Sequence, residues 1–304
     1  MVKVLITGGA GLVGQQLSRA LLNNGYEVAI LSSRKSISNN AEIPSYYWNI
    51  DQNEIDRDVL NSCECIIHLA GANIGAKRWT DQRKRQILGS RIKSAELIFD
   101  NLDQQNHQLK TFISASAIGY YGSVTSDRIF DETDSSAKDF LGKTCAQWEQ
   151  AADRFEDIGV RVVKVRTGIV LSEQGGLLPR FSVPVKLGLA AAFGSGKQFM
   201  PWIHIKDLCN IYLCAIENSK ITGAYNAVAP DHITNKDFNR KMARRLRRPF
   251  WLPNIPSSII KLLFGELSVM LLNGSRVSPA KIISADYEFC FASFDEAIED
   301  LIKH

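Results

Sequence analysis

The sequence predicts an α/β fold, in which a doubly wound parallel sheet is followed by a smaller, mostly helical C-terminal lobe. In the first part of the chain, apolar runs of strand length alternate with segments of helical periodicity. Three glycines, Gly8, Gly11 and Gly14, directly follow the first apolar run. Beyond Gly175, scattered prolines and glycines replace the alternation. We therefore expect a Rossmann-type domain over residues 1–174, with a strand returning to it near 223–229, and a substrate-side lobe over 175–304.

The first predicted elements form a βαβ unit. Residues 2–6 make a buried strand, residues 12–22 a helix that Gly25 ends, and residues 27–31 a second strand. Glycines between strand and helix allow a tight turn and a close approach of phosphate, and free N–H groups at the helix start favour an anion. We expect a dinucleotide pyrophosphate here; the alternative is a turn without phosphate. The residues of this glycine loop are Thr7, Gly8, Gly9, Ala10, Gly11, Leu12, Val13 and Gly14.

The residues after the second strand select the nicotinamide cofactor. An acidic side chain there binds the ribose 2′-hydroxyl of NAD, but this chain has Ser33 and Arg34, followed by Lys35. A guanidinium suits the 2′-phosphate of NADP. We therefore predict that NADP(H) is preferred over NAD(H); the alternative is that Arg34 is a solvated loop cation.

The later elements continue this pattern and then weaken. After a strand over 65–69, the small residues Ala70, Gly71 and Ala72 let a backbone lie close to a cofactor, or simply pack tightly. The rest of the first domain is predicted as a helix over 80–102, a strand from 111, a helix over 139–157, a strand over 160–166 and a loop over 168–176. In the second lobe we predict helices over 207–218, 235–247, 257–272 and 293–303.

The overall composition limits the classes of partner. A net charge of +4 and a pI near 8.7 are too mildly basic to indicate nucleic-acid binding. The six cysteines lack CxxC spacing and the five histidines lack metal-ligand spacing, so we expect reduced thiols and no metal site. We find no signal peptide and no apolar run of membrane-spanning length, which predicts a cytoplasmic protein. A homodimer stays open as an assembly.

One dense cluster of positive charge lies close to the C-terminal end of a predicted helix. At helical spacing its members cover much of the helix surface, and we expect a solvated face. The alternative is a site for an acidic ligand or partner, including a nucleic acid. The cluster consists of Arg240, Lys241, Arg244, Arg245, Arg247 and Arg248.

Five ordered motifs resemble the extended short-chain dehydrogenase/reductase superfamily. They are TGGAGLVG at 7–14, HLAGA at 68–72, SASAIGYYG at 114–122, PWIHIKDL at 201–208 and GAYNAVA at 223–229. Further segments resemble its atypical, epimerase-like subfamily with a C-terminal domain of unknown function, among them GANIGAKRW at 71–79, DFLGKTCAQWE at 139–149 and RVSPAKIISADYEF at 276–289. The resemblance covers essentially the whole chain. It implies a nicotinamide-dependent oxidoreductase or epimerase whose substrate is a small molecule, such as a carbonyl or sugar-nucleotide compound.

The same resemblance implies cofactor contacts beyond the glycine loop, Ser33 and Arg34. They are Leu69, Ala70, Gln86, Arg91 and Val170. Relatives tend to carry glutamate at the position of Gln86, whose role here is therefore open. Arg91 would reach the cofactor from the long helix; the alternative is an exposed helix charge.

The chain departs from the superfamily at the catalytic centre. Most members use Tyr-x-x-x-Lys on one helix face, where the ammonium lowers the pKa of the phenol that transfers the proton. None of the eight tyrosines here has a lysine four residues later. Aligning on Glu149 puts Leu141 at the tyrosine position and Cys145 at the lysine position. The usual acid/base pair is therefore missing.

Other hydroxyls are the remaining candidates for proton transfer. In an open parallel sheet, hydroxyls at the carboxyl end of a strand face the ligand crevice, which favours Ser116, Tyr120 and Tyr121 as catalytic residues. Lys143 and Cys145 rank second, since Cys145 is more typical of a small buried hydrophobe. Trp202 could line the substrate side, whereas for His204 we favour a structural role.

Two functions follow from this balance. An intact cofactor loop with a hydroxyl-rich strand end predicts an NADP(H)-dependent oxidoreductase or epimerase-like enzyme. The missing acid/base pair keeps open a non-catalytic NADP(H)-binding sensor that acts through a partner. A superfamily label alone does not establish the chemistry.

Overall fold

The computed structural model describes residues 2–34 and 42–302. We number the strands found there as β1 (Lys3–Thr7), β2 (Glu27–Ser32), β3 (Ser45–Asn49), β4 (Glu54–Ile55), β5 (Cys65–His68), β6 (Thr111–Ala117), β7 (Ile129–Phe130), β8 (Arg161–Thr167), β9 (Ile169–Ser172), β10 (Gly175–Gly176), β11 (Trp202–His204), β12 (Gly223–Ala227) and β13 (Arg276–Val277).

The α-helices of the same residues are α1 (Leu12–Asn23), α2 (Arg57–Ser62), α3 (Asp81–Asn101), α4 (Phe140–Asp153), α5 (Leu177–Lys186), α6 (Ile205–Glu217), α7 (Asn235–Arg245), α8 (Ser257–Phe264), α9 (Val269–Leu272), α10 (Ala280–Ile283) and α11 (Phe294–Leu301). Short 3₁₀ turns follow β6, α4 and α8.

Eight strands form one twisted central sheet. Their order is β12-β8-β6-β5-β1-β2-β3-β4, and all neighbours are parallel except β3 and β4. The chain winds outward in one direction from β1 through β2 and in the other through β5, so the strand order reverses between β1 and β5. Open α/β sheets bind ligands at the carboxyl ends of the strands beside this point. The predicted doubly wound sheet is confirmed.

Side-chain alternation along the strands builds a core on each face of the sheet. In β1, Ile6 packs in a cluster with Leu17 and Leu21 of α1, while Leu5 belongs to the cluster of the opposite face with Ile98 of α3. All are fully buried. Buried strands of a parallel sheet read as continuous apolar runs for this reason, because helices cover both faces.

The second lobe has a core of its own around three aromatic side chains. Trp202, Phe238 and Phe294 are fully buried and meet with ring centroids 4.8–5.5 Å apart. Helices α5, α7 and α11 surround them beside a three-stranded sheet in the order β10-β9-β11. The predicted smaller, mostly helical lobe is therefore present, and the chain between its parts returns to the central sheet as β12, which pairs with β8.

Two predicted elements were wrong. The predicted loop over 168–176 is the hairpin of β9 and β10, because the three apolar residues of β9, Ile169, Val170 and Leu171, pair in parallel with β11. The predicted helix over 257–272 is broken into α8, a 3₁₀ turn and α9. The break falls at Gly265, whose φ of +59° lies outside the helical region.

Bulk features of the described chain are simple. No helix in residues 2–34 and 42–302 is long and apolar enough to span a bilayer. All six cysteines are free, and four of them are buried. Among the described residues no three or more His, Cys, Asp or Glu side chains are grouped so that they could hold a metal ion.

Candidate functional site

The glycine loop is shaped to leave the start of α1 open. Gly8 has a φ of +71°, and the Gly11 N–H donates to the Gly8 carbonyl oxygen over 2.9 Å. A Cβ on Gly14 would lie 2.5 Å from that same oxygen, so the helix begins in contact with the loop. The first turn of α1 carries no side-chain cap and no acidic residue. Its N–H groups are therefore available to an anion.

Thr7 holds the ends of β1 and β5 together. Its hydroxyl lies 2.9 Å from His68 Nδ1 and accepts the Ala70 N–H over 3.1 Å. The other ring nitrogen, Nε2, lies 3.0 Å from the Ser94 hydroxyl of α3. Burial lowers the pKa of His68 to about 4, so the ring is neutral at pH 7. Thr7 thus holds the backbone of Ala70 against the end of β1, below the glycine loop.

Ser33 and Arg34 lie exposed beside this loop. They follow β2, whose Leu31 is in register with Thr7 of β1, so both strands end at the same edge of the sheet. The Arg34 N–H donates to the Ser32 hydroxyl over 3.1 Å, which turns the chain directly after the strand. Lys35, the other cation considered for this position, lies outside the described residues.

The backbone of Leu69 and Ala70 forms a second wall of the loop. A Cβ on Gly8 would lie 3.0 Å from the Leu69 carbonyl carbon and 3.1 Å from the Ala70 nitrogen. On the opposite side, the hairpin of β9 and β10 packs against the Leu12 side chain of α1. A Cβ on Gly176 would lie 3.4 Å from both the Val170 oxygen and the Leu12 side chain. The structure therefore brings Leu69, Ala70 and Val170 to the glycine loop.

The two candidates on α3 differ in their surroundings. Arg91 is partly buried: it donates to the Ala72 oxygen over 3.2 Å, and its guanidinium lies 4.8 Å from the ring centroid of Trp148. It also packs on Gly71, whose added Cβ would lie 3.1 Å from the guanidinium carbon. Arg91 is therefore not an exposed helix charge. Gln86 is exposed and accepts a hydrogen bond from Arg83 over 2.5 Å.

A cavity of about 400 Å³ opens at the carboxyl ends of β6 and β8. Ala117 ends β6, and Gly168 follows β8; both line the cavity. One part of the lining comes from α3, α4 and the 3₁₀ turn after β6: Arg91, Gly119, Tyr121, Leu141, Cys145 and Trp148. The other part comes from the second lobe: Leu177, Phe181, Gln198, Phe199, Met200, Met270, Leu271, Ser275 and Val277. The cavity therefore joins the two parts of the chain.

The helix positions aligned with the superfamily's tyrosine and lysine face this cavity but hold other residues. A Cβ on Gly119 would lie 3.4 Å from Leu141 Cβ and 3.6 Å from Cys145 Sγ. Burial raises the pKa of Cys145 to about 12, so this thiol stays protonated. Lys143 is exposed and lies outside the cavity lining. Among the described residues that line the cavity, Arg91 is the one with a charged side chain.

Behind the cavity lies a buried ion pair that joins α4 to β8. Glu149 and Arg166 are both almost fully buried, and two hydrogen bonds of 2.8 Å connect the guanidinium to the two carboxylate oxygens. Burial opposes the charge of Arg166, but the hydrogen bonds and charge of Glu149 more than offset this, so the pKa of Arg166 is raised. Spacing along the sequence gave no sign of this pair.

The three predicted catalytic hydroxyl residues surround this ion pair. Ser116 donates to Glu149 Oε1 over 2.6 Å. Arg166 donates to the Tyr121 phenol oxygen over 3.0 Å and lies 3.5 Å above the Tyr120 ring. Only Tyr121 of the three lines the cavity. The structure thus brings all three together: the hydroxyls of Ser116 and Tyr121 belong to one hydrogen-bond network, and Tyr120 contacts it through its ring.

The network ends at β12, where sequence reasoning had found no functional residue. The Tyr121 hydroxyl donates to Asn226 Oδ1 over 2.7 Å, and the Asn226 N–H donates to Glu132 over 2.7 Å. Burial raises the pKa of Tyr121 to about 12, the nearby guanidinium notwithstanding. The one available sequence signal was Arg166 itself, a cation inside an apolar strand.

Trp202 and His204 pack within the second lobe and at the start of α6, away from the cavity. Trp202 is fully buried in the core of the second lobe and donates from its ring to the Asp231 oxygen over 3.0 Å. His204 accepts the Lys206 N–H over 3.1 Å at the start of α6 and stacks on Phe291 with ring centroids 3.8 Å apart. Neither side chain lines the cavity.

Three of the six residues of the basic cluster contact the segment of α11. Lys241 and Arg244 each lie 2.8 Å from a carboxylate oxygen of Asp295. Arg245 donates to the Ile302 and Glu299 carbonyl oxygens over 2.9 and 3.1 Å. Lys241 and Arg245 are partly buried by these contacts, whereas the other members of the cluster are exposed, as expected for a solvated face: Arg240, Arg244, Arg247 and Arg248.

Comparison with known proteins places this geometry in a family. The model of the NAD dependent epimerase/dehydratase family matches residues 4–227, and a domain of unknown function matches residues 255–301. The epimerase family protein YfhF of Bacillus subtilis is 32% identical over 301 residues, which cover 99% of this chain and 98% of that protein. The epimerase family protein ML0860 of Mycobacterium leprae is 33% identical over 296 residues, 97% of this chain and 94% of that one.

Solved structures give the same result. The human epimerase family protein SDR39U1, solved with NADPH, superimposes with a TM-score of 0.86 at 29% identity and 99% coverage of both chains. A nucleoside-diphosphate sugar epimerase from Corynebacterium glutamicum has a TM-score of 0.77 at 30% identity, covering 99% of this chain and 58% of that one. Since the family model matches well over half of the residues, this chain belongs to the NAD-dependent epimerase/dehydratase family.

Proposed function

We propose that this protein is an NADP(H)-dependent oxidoreductase, or an epimerase-like enzyme using the same hydride chemistry, that acts on a small molecule in the cavity beside the glycine loop. The observation that carries the proposal is that loop and cavity open at one edge of the sheet. The loop follows β1, and the cavity is lined by Ala117 and Gly168 at the ends of β6 and β8. Arg91 lines the cavity and packs on Gly71, which follows Leu69 and Ala70 beside the glycine loop.

The residues present fit a dinucleotide with a 2′-phosphate. A side chain at Gly8 would collide with the backbone of Leu69 and Ala70, and one at Gly14 with the backbone of the glycine loop. The start of α1 offers uncapped N–H groups for a pyrophosphate. Ser33 and Arg34 are exposed at the end of β2, where a 2′-phosphate would be bound. NADP(H) supplies or accepts the hydride when bound. The NADPH in the human relative supports this preference.

Tyr121 is the proton donor that we propose. Its pKa of about 12 keeps the phenol protonated at neutral pH, and its ring lines the cavity. Arg166 donates to the phenol oxygen, so a cation stands ready to stabilise the phenolate left after donation. The substrate oxygen would have to replace Asn226 as acceptor. Ser116 and Tyr120 would act as positioning residues through Glu149 and Arg166.

Cofactor binding is the first test. Calorimetric titration of cofactor-free protein with NADPH, NADP, NADH and NAD should give tightest binding with NADPH. Arg34→Ala should weaken NADPH at least tenfold and leave NADH nearly unchanged, because the lost contact is to the 2′-phosphate alone. Arg180→Ala, which removes an exposed arginine on α5, is the matched control. Equal loss for NADPH and NADH would contradict the assignment of Arg34, and no binding of any nicotinamide would end the proposal.

Turnover is the second test. NADPH oxidation, followed by absorbance with a panel of carbonyl compounds, should identify a substrate. Tyr121→Phe should then lower kcat at least a hundredfold with NADPH affinity intact, whereas Ser116→Ala should have a smaller effect. Unchanged kcat in Tyr121→Phe would exclude this phenol as the donor.

One observation favours a different function. The hydroxyls of Ser116 and Tyr121 are both satisfied within the protein, and Leu141 and Cys145 occupy the usual acid/base positions. A non-catalytic NADP(H) sensor is the second candidate for this reason. It would be favoured if NADPH bound tightly, no panel compound was turned over, and binding changed association with a partner.

A further inference from the structure

We infer that the cavity takes an uncharged, mainly apolar small molecule that donates a hydrogen bond from a hydroxyl or N–H group to Gln198 Oε1, and that it does not take a nucleoside-diphosphate sugar. This inference rests on the proposed function, since it names the class of substrate for that site.

Gln198 provides a fixed acceptor within the lining. The residue is 1% exposed and belongs to the loop before β11. Its amide nitrogen donates to the Phe193 oxygen over 3.0 Å and to the Leu271 oxygen over 2.8 Å, so the nitrogen and oxygen cannot exchange places without losing both bonds. The amide oxygen Oε1 is buried and has no hydrogen-bond partner among the described residues.

An unpaired acceptor of this kind favours a ligand with a donor. Leaving a buried carbonyl oxygen without a partner costs about 1–3 kcal/mol, and a ligand O–H or N–H in the cavity would recover part of it. Most buried polar groups in proteins are satisfied, so each exception is a candidate for a functional contact. Ligand pockets commonly place a few such polar groups in an otherwise apolar wall to fix orientation.

Ser123 supplies a second polar group to the same lining. Its hydroxyl oxygen is buried and has no partner in the described chain, while its N–H is fixed by Asp139 over 2.8 Å. A hydroxyl can donate or accept, so Ser123 sets no preference alone. A third unpartnered atom, the Trp148 ring nitrogen, lies beside Arg91 at the cofactor end and is a donor only. Of these three buried and unpartnered atoms in the described lining, Gln198 Oε1 is the one that can only accept a hydrogen bond.

The remaining lining explains why a sugar nucleotide is excluded. The second lobe contributes Phe181, Phe199, Met200, Met270 and Val277 to the wall. A diphosphate carries two negative charges, and burying a charge without a partner costs far more than the apolar contacts return. Arg91 is the one cation of the described lining, and it lies at the cofactor end.

A matched pair of probes tests the inference. The full chain, saturated with NADPH, is titrated with 2-naphthol and with 2-methylnaphthalene, in which a methyl group replaces the hydroxyl. If the cavity offered only apolar contacts, 2-methylnaphthalene would bind more tightly than 2-naphthol, because it is the more apolar compound. We expect the naphthol to bind at least tenfold tighter instead, a difference of about 1.4 kcal/mol. UDP-glucose should give no saturable heat.

Variants locate the acceptor. Gln198→Met keeps the size of the side chain and removes the acceptor, so it should bring the naphthol preference to unity or reverse it. Ser123→Ala is the matched control, because it deletes the other unpartnered polar atom and should retain a clear preference. If Gln198→Met does not fold, Ser123→Ala decides: a retained preference for the naphthol would support Gln198 as the acceptor, and a lost preference would overturn this assignment.

The outcomes separate this inference from the proposed function. Equal or reversed affinities in wild type, failure of both naphthalenes to bind, or UDP-glucose that competes with the naphthol would each overturn the substrate class, even where NADPH binds normally. Conversely, if the protein binds no nicotinamide but still prefers the naphthol, the substrate class assigned to the cavity would stand and the proposed oxidoreductase function would be rejected.

Discussion

Neutralising Glu149 should lower the free energy of unfolding by about 3 kcal/mol or more, because breaking a buried ion pair leaves a charge without compensation. In Glu149→Gln, the Arg166 guanidinium stays buried at 3% exposure. It loses one of its two 2.8 Å carboxylate bonds, because the new amide NH₂ is a donor facing a donor. Ser116 loses a charged acceptor at 2.6 Å in the same step. Typical values for removing one partner of such a pair are about 3–5 kcal/mol.

The assay is urea unfolding followed by circular dichroism at pH 7, without cofactor, because a bound ligand would raise the apparent stability of every variant. Glu64→Gln is the matched control: Glu64 pairs with Lys110 over 2.5 Å, but the lysine side chain is 74% exposed. Such a surface pair contributes about 0–1 kcal/mol.

A double variant isolates the pair itself. Replacing Glu149 by leucine and Arg166 by methionine together should cost less than the sum of the two single changes, since neither charge is then left alone. If Glu149→Gln and Glu64→Gln lose the same stability within error, or the double variant is additive, the buried charge is not what holds α4 to β8 and the reasoning is refuted.

Three further predictions test other parts of the molecule. Gly14→Ala should abolish NADPH binding, because its Cβ would lie 2.5 Å from the Gly8 oxygen. The control Gly89→Ala should retain binding and gain about 0.5–1 kcal/mol in stability, because its Cβ would meet Lys93 at an ordinary van der Waals distance of 3.9 Å. Equal NADPH affinities of the two variants would contradict the shape assigned to the loop. His68 has a folded pKa of about 4, below the 6.5 of the unfolded chain, so the unfolded state takes up the proton first and stability falls as pH drops from 6.5 toward 4. Unfolding titrations at pH 7.5 and 5 should show a loss of about 2 kcal/mol that His68→Gln lacks, and a variant with the same pH dependence would refute the neutral ring. Asp207 accepts hydrogen bonds from the Tyr287 hydroxyl and from the N–H groups of Cys290 and Phe291 over 2.8–3.0 Å. Asp207→Ala should therefore make the segment 287–291 more sensitive to limited proteolysis. An unchanged digest would show that hydrophobic contacts are enough to hold this segment in place.

The sheet and the cofactor side follow from local patterns, which is why they could be predicted. A strand, three glycines and a helix occupy fewer than thirty consecutive residues, and the conformation of each depends on its neighbours in sequence. The register of β1 with β2 ends both strands at one edge of the sheet, and Arg34 follows β2 at that edge. Leu69 and Ala70 reach it through β5 for the same reason.

The network around the cavity depends on contacts distant in sequence, which a single chain does not reveal. Glu149, Arg166 and Asn226 come from α4, β8 and β12, and nothing in their spacing marks them as neighbours. The hairpin of β9 and β10 was taken for a loop because its glycines masked a short apolar run that needs β11 as partner. At Gly265 the opposite error occurred, since the apolar periodicity ran on through a residue whose positive φ ends the helix.

The two ends of the candidate site have different requirements. At the proposed cofactor end, the glycine loop and the strand ends need to accommodate only a dinucleotide, whatever the reaction. The reacting end has to meet a different requirement, because Leu141 and a protonated Cys145 can neither hold nor lower the pKa of a phenol. The nearest cation to a phenol that lines the cavity is Arg166, which reaches Tyr121 from a strand and is balanced by Glu149 from a helix. Arg166 lowers the pKa of this phenol, but burial raises it by more, to about 12. A phenol that is protonated at neutral pH is in the form that the proposed proton donation requires.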